Sequence, residues 1–310
     1  MTSFRLPDSV SIRPLQFNDI GPIVDLYAAC MAVERNIGPM SAEGYASWLR
    51  LARSGYGRDF IVAMDGSDLI GVAESSLRPG GLQLCRFVKI VVHPARRRRG
   101  LGTTLLRAVV DQGPVGPSLL IESLPRPAWE AGLGFVSRFG FNVTEVEIIM
   151  RCPVVRPVQG GPAGLAISRA ENGVDAKRIA DIHNAAYRDE AGFVPSTEAE
   201  TAEPSEGTRI WTARLNGQVV AFAIVEQEEG LTWLESLAVD PPFQARRIGA
   251  ALATQALLGE GVGEGRPAGL NVSASNTAAR KLYGRLGFEQ RFEMPRYGIL
   301  RDDLLARLAG

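Results

Sequence analysis

Residues 93–109 read HPARRRRGLGTTLLRAV, in which a proline turn and four consecutive arginines lead through two glycines into a helical pattern. A strand that passes through such a loop into a helix leaves unpaired backbone N–H groups at the helix start, in front of the positive end of the helix dipole. Glycines allow a ligand to approach this backbone closely, and arginines add charge and paired donors. The stretch therefore predicts a site for an anion, phosphate above all.

Two familiar phosphate motifs do not fit this loop. The dinucleotide pattern G-x-G-x-x-G fails because Arg107 and Ala108 follow without a third glycine, and the P-loop pattern fails because no Gly-Lys-Ser/Thr occurs here. A pyrophosphate cradle at Arg97–Gly102 is the interpretation that remains for a bound anion. The alternative is a basic face that simply contacts solvent.

The same order of elements occurs twice in the chain. Residues 84–106 (LCRFVKIVVHPARRRRGLGTTLL) correspond to 231–253 (LTWLESLAVDPPFQARRIGAALA), since both read as strand, proline turn, basic loop and helix. Arg97 and Gln244 are 147 residues apart (244 − 97), and so are Gly140 and Gly287 (287 − 140). A repeat of this length predicts two domains of one fold rather than a solenoid, whose period is roughly 20–50 residues.

The earlier parts of the two halves also match. Residues 10–31 and 166–187 each read as a short strand, a polar turn and a helix, while 60–76 and 210–227 each read as a β-hairpin. We therefore predict domains at residues 9–152 and 165–310. They are joined by residues 153–164, PVVRPVQGGPAG, whose proline and glycine content is typical of a linker.

The composition limits the classes of function. Lys plus Arg and Asp plus Glu both number 34, and this balance argues against a dedicated nucleic-acid-binding protein. Three widely spaced cysteines, Cys30, Cys85 and Cys152, favour a reducing compartment, and two histidines give little support for a metal site. The N-terminus does not read as a signal peptide, and no apolar run is long enough to span a membrane. We therefore expect a cytoplasmic protein with no metal, no nucleic acid and no membrane partner.

The chain resembles the GNAT superfamily of acetyl-CoA-dependent N-acetyltransferases. Val-x-Pro followed by Gln/Arg-x-x-Gly-x-Gly/Ala and a helix is the superfamily's cofactor motif, and NTAARKLYGRLGF at 276–288 resembles its closing motif. The resemblance covers nearly the whole chain as two copies. It implies an α/β (α+β) fold, in which each domain is a mixed, mostly antiparallel sheet flanked by helices. It also implies acetyl-CoA (coenzyme A) as co-substrate, with the pantetheine lying where strands four and five of the sheet splay apart.

The resemblance implies two sets of cofactor-binding residues, one in each half. In the second half they are Leu237, Val239, Gln244, Ala245, Arg246, Arg247, Ile248, Gly249, Ala250 and Asn276. In the first half they are Ile90, Val92, Arg97, Arg98, Arg99, Gly100, Leu101, Gly102 and Thr103.

The resemblance implies catalytic roles for Glu235 and Tyr283. Glu235 lies four residues before Val239, where the superfamily often has a base, and Tyr283 stands where it has the acid that protonates the departing thiolate. Without a bulge, Glu235 shares a strand face with Leu237, and burial in that strand would raise its pKa. The alternatives are a solvent-facing edge glutamate, a tyrosine that belongs to the core, and an Asn276 that only caps its helix.

The first half does not carry these catalytic residues. Val88 and Arg86 occupy the positions of the base, and Val136 occupies that of the tyrosine. We therefore predict that the first half binds acyl-CoA without catalysis. Trp129 replaces the asparagine there.

The second half departs from the superfamily at Arg247, which stands where the first glycine of the motif is usual. If this position requires φ > 0, the arginine costs on the order of 1 kcal/mol. If it requires only close approach, the side chain can turn away or pair with phosphate.

The acceptor is indicated only by charge. Residues 189–207 lie between the first helix and the next strand of the second half, where the superfamily shapes its acceptor site, and contain no Lys or Arg. Their acidic residues are Asp189, Glu190, Glu198, Glu200, Glu203 and Glu206. Such a segment would attract a cationic amine. The alternative is a solvated flexible loop.

We therefore predict an N-acetyltransferase that acts by direct attack of a primary amine, from a small molecule or peptide, in the C-terminal domain. A tandem chain active only in its C-terminal half resembles the mycothiol synthases, which acetylate the cysteinyl amine of a sugar–inositol thiol, although their glutamate position is Trp233 here. The alternatives are a catalytically inactive acyl-CoA-binding or regulatory protein and a nucleic-acid-associated protein. We expect a monomer or a homodimer.

Overall fold

The computed structural model describes residues 7, 9–34, 41–51, 60–80, 83–111, 119–125, 129–158, 160–171, 173–190, 193, 195–202, 204, 207–228 and 230–309. Contacts between residues divide the chain into two compact units. The first unit comprises residues 1–144 and 295–310, and the second comprises residues 145–294. No helix within the described ranges is both long and apolar enough to cross a membrane.

The elements occur in the same order in both halves. The first half contains β1 (Val10–Pro14), α1 (Ile20–Val33), α2 (Ala42–Leu51), β2 (Phe60–Asp65), β3 (Asp68–Gly80), β4 (Gln83–Val92), α3 (Leu101–Val110), β5 (Leu120–Ser123), α4 (Glu130–Arg138) and β6 (Asn142–Cys152). The second half contains β7 (Leu165–Arg169), α5 (Ala176–Ala186), α6 (Glu198–Ala202), β8 (Thr208–Leu215), β9 (Gln218–Glu228), β10 (Leu231–Val239), α7 (Ile248–Gly259), β11 (Ala268–Ser273), α8 (Thr277–Arg285), β12 (Glu289–Leu300) and α9 (Arg301–Ala309).

The sheet of the first unit has the order β1-β2-β3-β4-β5-β12. Neighbouring strands are antiparallel except for β4 and β5, which are parallel. Successive residues of β2 belong to different cores: Phe60 and Val62 pack with α1, and Ile61 and Ala63 pack with α3. Helices therefore cover both faces of the sheet, which explains why β2 is apolar throughout rather than alternating.

The sheet of the second unit has the order β6-β11-β10-β9-β8-β7. It is antiparallel except for the parallel pair β10 and β11. Helices again cover both faces, since Phe222 on β9 packs with α5 while its neighbours Ala221 and Ala223 pack with α7. The predicted mixed, mostly antiparallel sheet with flanking helices is confirmed in each unit.

Both predicted hairpins form. Residues 60–76 lie in β2 and β3, and residues 210–227 lie in β8 and β9. Asn216 and Gly217 at the second turn have φ of 52° and 82°, which is the left-handed backbone that an Asn-Gly hairpin requires. Local sequence was sufficient here because the turn residues themselves fix the connection.

The division by contacts differs from the predicted boundaries at residues 152 and 310. The end of β6 pairs with β11 from Glu147 to Cys152, so this strand completes the second sheet. The end of β12 pairs with β5 from Tyr297 to Leu300, and α9 follows it into the core of the first unit. Each unit thus takes its last strand from the other half of the repeat.

Candidate active site

The two basic loops have the same backbone conformation. In the first unit a 3-10 turn at Pro94–Arg96 leads to Arg98 and Gly100, which have φ of 63° and 84°. In the second unit a 3-10 turn at Pro241–Phe243 leads to Ala245 and Arg247, which have φ of 61° and 64°. The next residue in each loop begins a helix, α3 at Leu101 and α7 at Ile248. Both loops therefore place the N-terminus of a helix at the end of β4 or β10, as the anion-binding prediction requires.

Arg247 occupies a left-handed position that favours glycine. Its side chain is exposed and leans toward the linker, where a Cβ atom placed on Gly160 would lie 3.4 Å from Arg247 Nη1. Of the two alternatives for this position, the one that requires φ > 0 is the one found. The arginine therefore costs on the order of 1 kcal/mol of backbone strain.

We predict that Arg247→Gly raises the free energy of unfolding by roughly 0.5–1 kcal/mol, because glycine adopts the left-handed region without strain. Urea denaturation measures the change. Arg246→Gly is the matched control, since Arg246 is not among the positive-φ residues. It should lower stability by roughly 0.5–1 kcal/mol through backbone entropy. A loss of stability in both variants would contradict the assignment of strain to Arg247.

The residue three positions before that left-handed site ties each loop to its strand. Arg97 Nε donates to the carbonyl oxygen of Val92 at 3.0 Å, and Gln244 Nε2 donates to that of Val239 at 3.0 Å. Arg97 and Gln244 therefore make equivalent hydrogen bonds in the two units. This role explains why glutamine and arginine alternate at this position of the motif.

The four consecutive arginines divide into two pairs. Arg96 forms an ion pair with Asp65 at 2.9 Å, and Arg97 forms one with Glu34 and also contacts Cys30 Sγ. The side chains of Arg98 and Arg99 are exposed. The first pair holds the loop to its own unit, and the second pair is available to a phosphate.

A cavity of about 530 Å³ opens beside this loop in the first unit. Its lining includes eight of the nine predicted cofactor-binding residues of the first half, all but Arg99: Ile90, Val92, Arg97, Arg98, Gly100, Leu101, Gly102 and Thr103. The volume lies in the range of ligand pockets, roughly 300–1,000 Å³. The cavity also reaches Ser123 and Pro125 at the end of β5.

The cavity lies where β4 and β5 separate. In these described strands, the pairing runs from Cys85 with Leu120 to Phe87 with Glu122. The equivalent parallel pairing of the second unit runs from Thr232 with Ala268 to Trp233 with Gly269. Within the described residues, β4 and β10 thus continue toward their carboxyl ends beyond the residues that pair with β5 and β11. This is the separation of strands that the superfamily resemblance implied.

Glu235 is the extra residue of a β-bulge. The register of β10 on β9 steps from Leu234 opposite Val225 to Ser236 opposite Ile224, so Glu235 has no place in the ladder and is exposed. The prediction that Glu235 is buried in the strand is wrong for this reason. Leu234 takes the inward place beside Leu237 and Val239, and these three side chains pack against α7.

Tyr187, which follows α5, stabilises the bulge through hydrogen bonds to the two residues after Glu235. Its hydroxyl lies 3.0 Å from Ser236 Oγ, donates to the Leu237 carbonyl at 3.0 Å and lies 3.2 Å from the Leu237 nitrogen. Burial raises the pKa of Tyr187, so its hydroxyl stays protonated and can donate. Sequence reasoning did not identify Tyr187, because its partners lie on a strand 49 residues away.

The closing helix α8 brings two predicted residues together. Asn276 caps the helix by accepting a hydrogen bond from the Ala279 nitrogen at 3.0 Å, and its Nδ2 donates to Glu190 Oε1 at 3.4 Å. Tyr283 lies about two turns further along the helix. It is 8% exposed, and its ring is 5.8 Å from that of Phe288. Burial raises the pKa of Tyr283, and the charges of Tyr187 and Glu190 raise it further. Tyr283 therefore carries its proton at neutral pH.

Glu190 is the second carboxylate of this site. Surrounding protein atoms raise the pKa of its carboxyl group, the negative charge of Glu145 raises it further, and the hydrogen bond from Asn276 opposes both effects. Glu190 is nevertheless exposed to solvent. A carboxylate and a tyrosine that both have a raised pKa and interact with each other are typical of a functional site.

The remaining predicted residues of the second half form the loop and the first turn of α7. Gly249 lies against β10, since a Cβ atom placed on it would be 3.3 Å from Val239 Cγ2. Ile248 and Ala250 are buried, while Gln244, Ala245 and Arg246 are exposed. Of the acidic segment, Glu203 and Glu206 lie outside the described residues, and Glu198 and Glu200 lie in α6.

Trp233 occupies the strand position six residues before Val239. It is half-buried, and the Arg151 guanidinium lies over its ring at 4.7 Å from the centroid.

In the part of the chain that the structure describes, no group of three or more His, Cys, Asp or Glu side chains is placed to hold a metal ion.

Comparison with known proteins decides the family. Residues 21–114 and 176–288 each match the acetyltransferase (GNAT) family, and together they make up more than half of the chain. The chain belongs to the GNAT family. The double match confirms both the predicted family and the predicted repeat.

The most similar curated relatives include mycothiol acetyltransferases. One from Thermobispora bispora is 30% identical over 75% of this chain and 80% of its own length, and one from Parafrankia sp. is 29% identical over 90% and 94%. Among solved structures, a tandem GNAT protein from the clavulanic acid biosynthesis pathway has a TM-score of 0.71 at 18% identity, covering 94% of this chain and 98% of its own. A GCN5-related N-acetyltransferase from Sphaerobacter thermophilus has a TM-score of 0.68 at 21% identity, covering 96% and 97%. The structures share the tandem GNAT fold, and the relatives support an acetyltransferase.

Proposed function

We propose that this protein transfers an acetyl group from acetyl-CoA to the primary amine of a small molecule or peptide, and that the second unit performs the reaction. The observation that carries the proposal is that Glu190 interacts with two residues of α8: Asn276 at its N-terminus donates a hydrogen bond to Glu190, and the charge of Glu190 raises the pKa of Tyr283 near its C-terminus. The first unit has Trp129 and Val136 at the positions of Asn276 and Tyr283. Neither of these two side chains can exchange a proton with a reacting group at neutral pH.

Acetyl-CoA supplies the activated acyl group in this proposal, and the residues of the second unit orient it. The backbone N–H groups from Gln244 to Gly249 would hold the pyrophosphate, because they stand at the N-terminus of α7. The unpaired end of β10 would receive the pantetheine. The amine nitrogen then attacks the thioester carbon and the C–S bond breaks.

Tyr283 and Glu235 carry out the two proton transfers of this proposed reaction. Tyr283 donates its hydroxyl proton to the departing CoA thiolate, and its raised pKa keeps the hydroxyl protonated at neutral pH until then. Glu235 accepts the amine proton through a water molecule, since its exposed position on the bulge gives solvent access. The proton lost by the nitrogen and the proton gained by the sulfur balance the transfer.

The first unit binds acyl-CoA without turnover in this proposal. Its cavity of about 530 Å³ is lined by the arginine loop and by the separated ends of β4 and β5. Val88 and Val136, which line it, have no proton to exchange. The cavity would therefore hold the cofactor as a structural or regulatory ligand.

We predict that the double substitution Arg98→Glu and Arg99→Glu weakens acetyl-CoA binding by the first unit roughly 10- to 100-fold, through loss of charge-assisted phosphate contacts. Arg97 is left intact because it pairs with Glu34. Isothermal titration with acetyl-CoA measures the binding, and the double substitution Arg169→Glu and Arg285→Glu, at exposed positions of the second unit, is the charge-matched comparison. Acetyl transfer should continue. Loss of transfer with unchanged acetyl-CoA binding would move the chemistry to the first unit.

The acceptor we propose to test first is a cysteinyl amine on a sugar–inositol thiol, because the curated relatives are mycothiol acetyltransferases. We propose a cytoplasmic monomer or homodimer with no nucleic-acid or membrane partner. Its three cysteines are free and buried, which suits a reducing compartment.

The experiment that tests the proposal measures acetyl transfer from acetyl-CoA with a panel of amines, detected by mass spectrometry of the acetylated product. The panel contains the cysteinyl sugar–inositol thiol, cysteine methyl ester, glucosamine, ethanolamine and a lysine-containing peptide. Product formation with any of them supports the proposal. Binding of acetyl-CoA without transfer to any acceptor would favour the second candidate, a catalytically inactive acyl-CoA-binding protein, which Trp233 at the superfamily's glutamate position also favours.

A further inference from the structure

Each unit has a glutamate at the same place after its first helix. Glu34 lies 14 residues after Ile20, where α1 begins, and Glu190 lies 14 residues after Ala176, where α5 begins (34 − 20 and 190 − 176). The two helices bury matching positions, including Ile23 in α1 and Ile179 in α5. Glu34 and Glu190 are therefore equivalent residues of the repeat.

Both glutamates accept a hydrogen bond from the residue that caps the closing helix. Trp129 Nε1 donates to Glu34 Oε1 at 2.7 Å, and Asn276 Nδ2 donates to Glu190 Oε1 at 3.4 Å. Trp129 and Asn276 are themselves 147 residues apart (276 − 129), so they too are equivalent. Each carboxylate thus lies at the same point of its unit, between the first helix and the closing helix.

The two carboxylates differ in their charged partner. Arg97 pairs with Glu34 in the first unit, which neutralises the glutamate with a cation from the protein itself. The equivalent residue in the second unit is Gln244, which carries no charge and donates to the Val239 carbonyl. The first unit's carboxylate is thereby closed to a ligand, whereas that of the second unit has lost this internal cation.

Glu190 interacts instead with a second carboxylate and an amide. Glu145 at the start of the second unit contributes a like charge, Asn276 contributes an amide, and Tyr283 interacts electrostatically from α8. Tyr187 extends the group toward the bulge at Ser236. A cationic group placed here would gain from the carboxylate charge and relieve the repulsion between Glu145 and Glu190.

We propose that Glu190 binds the ammonium group of the acceptor beside Asn276 and Tyr283, so that this enzyme selects acceptors whose reactive nitrogen is a cationic primary amine. This assignment rests on the proposed function of the second unit. Glu190 is then a specificity-determining residue that positions the nitrogen for attack. The bound ammonium first gives one proton to solvent, which frees the nitrogen lone pair, and the nitrogen gives its second proton to Glu235 through water as the C–S bond breaks. The protein's own arginine fills the equivalent place in the first unit, which matches the absence of catalytic side chains at Val88 and Val136.

Glu190→Gln tests this assignment, since glutamine keeps the size and the hydrogen-bonding of the side chain and removes its charge. Full-length wild type and variant are compared with the fastest amine of the panel and with O-methylhydroxylamine, whose nitrogen is uncharged at neutral pH. Glu264→Gln is the control for net charge, because Glu264 is an exposed residue of the turn between α7 and β11.

We expect Glu190→Gln to raise KM for the cationic amine roughly 10- to 100-fold, the scale of a charge-assisted hydrogen bond, and to leave KM for acetyl-CoA within about twofold. The effect with O-methylhydroxylamine should stay within about threefold, which a merely structural role would not produce. Glu264→Gln should match the wild type.

Two results would overturn the assignment while the proposed function stands. One is a KM for the cationic amine within about threefold of wild type, and the other is an equal loss with both acceptors, which indicates a structural role. A wild-type protein that acetylates no amine of the panel overturns the proposed function, and the role of Glu190 with it.

Discussion

Replacing Tyr283 by phenylalanine should lower kcat for acetyl transfer by roughly 10²–10⁴-fold, the usual range for loss of one general acid or base. The ring and its edge contact with Phe288 remain, so the fold of α8 is preserved. What is lost is the hydroxyl whose raised pKa keeps it protonated. KM for acetyl-CoA should change little, because the lost interaction forms with the thiolate only as the C–S bond breaks.

Steady-state kinetics over about pH 6 to 9 measure this effect, and urea denaturation checks that stability is unchanged. Tyr297→Phe, on β12 in the first unit, is the matched control and should retain wild-type activity. Because the pKa of Tyr283 is raised above that of an ordinary tyrosine, about 10, wild-type activity should not fall at the alkaline end of this range through its deprotonation. A kcat within about threefold of wild type would remove Tyr283 from the mechanism.

Glu235→Gln should lower kcat by about 10²-fold, toward the low end of the same range. The reason for the smaller value is exposure, since water can replace an exposed side chain as the proton acceptor. The substitution keeps the size of the side chain, so the bulge held by Tyr187 at Ser236 should persist. The effect should appear in kcat rather than in KM for the amine, which separates Glu235 from Glu190.

The measurement is steady-state transfer with the fastest amine, and Glu264→Gln again controls for net charge. If kcat falls by less than about threefold, bulk water accepts the proton and the site acts mainly by positioning the reactants. A rise in KM for the amine without a change in kcat would instead show that Glu235 binds the acceptor.

Much of the fold could be predicted from the sequence because its signals are local. The Asn-Gly turn fixes one hairpin, and the proline turn with its glycine-rich loop fixes the start of α3. Asn276 was predicted as a helix cap from its position alone, and the structure confirms the cap. Each of these features depends on residues within a few positions of one another.

The features that the sequence did not reveal depend on distant partners. The bulge at Glu235 forms where Tyr187, from another element, bonds to Ser236 and Leu237. The pairing of Arg97 with Glu34 joins residues 63 positions apart, so the arginine run read as uniformly available to phosphate. A hydrophobic pattern identifies a strand but not its neighbour, so the repeat alone did not reveal that β6 pairs with β11 and that β12 pairs with β5.

The pairing of β6 and β12 with strands of the other repeat also affects when each unit can fold during translation. Ile299, Leu304 and Leu308 belong to the core of the first unit, although the whole second unit is translated before them. The first unit therefore cannot complete its core while its own half of the chain leaves the ribosome. A fragment cut at the linker would lack these side chains. All of the second unit, residues 145–294, is therefore translated before the first unit has its last core residues.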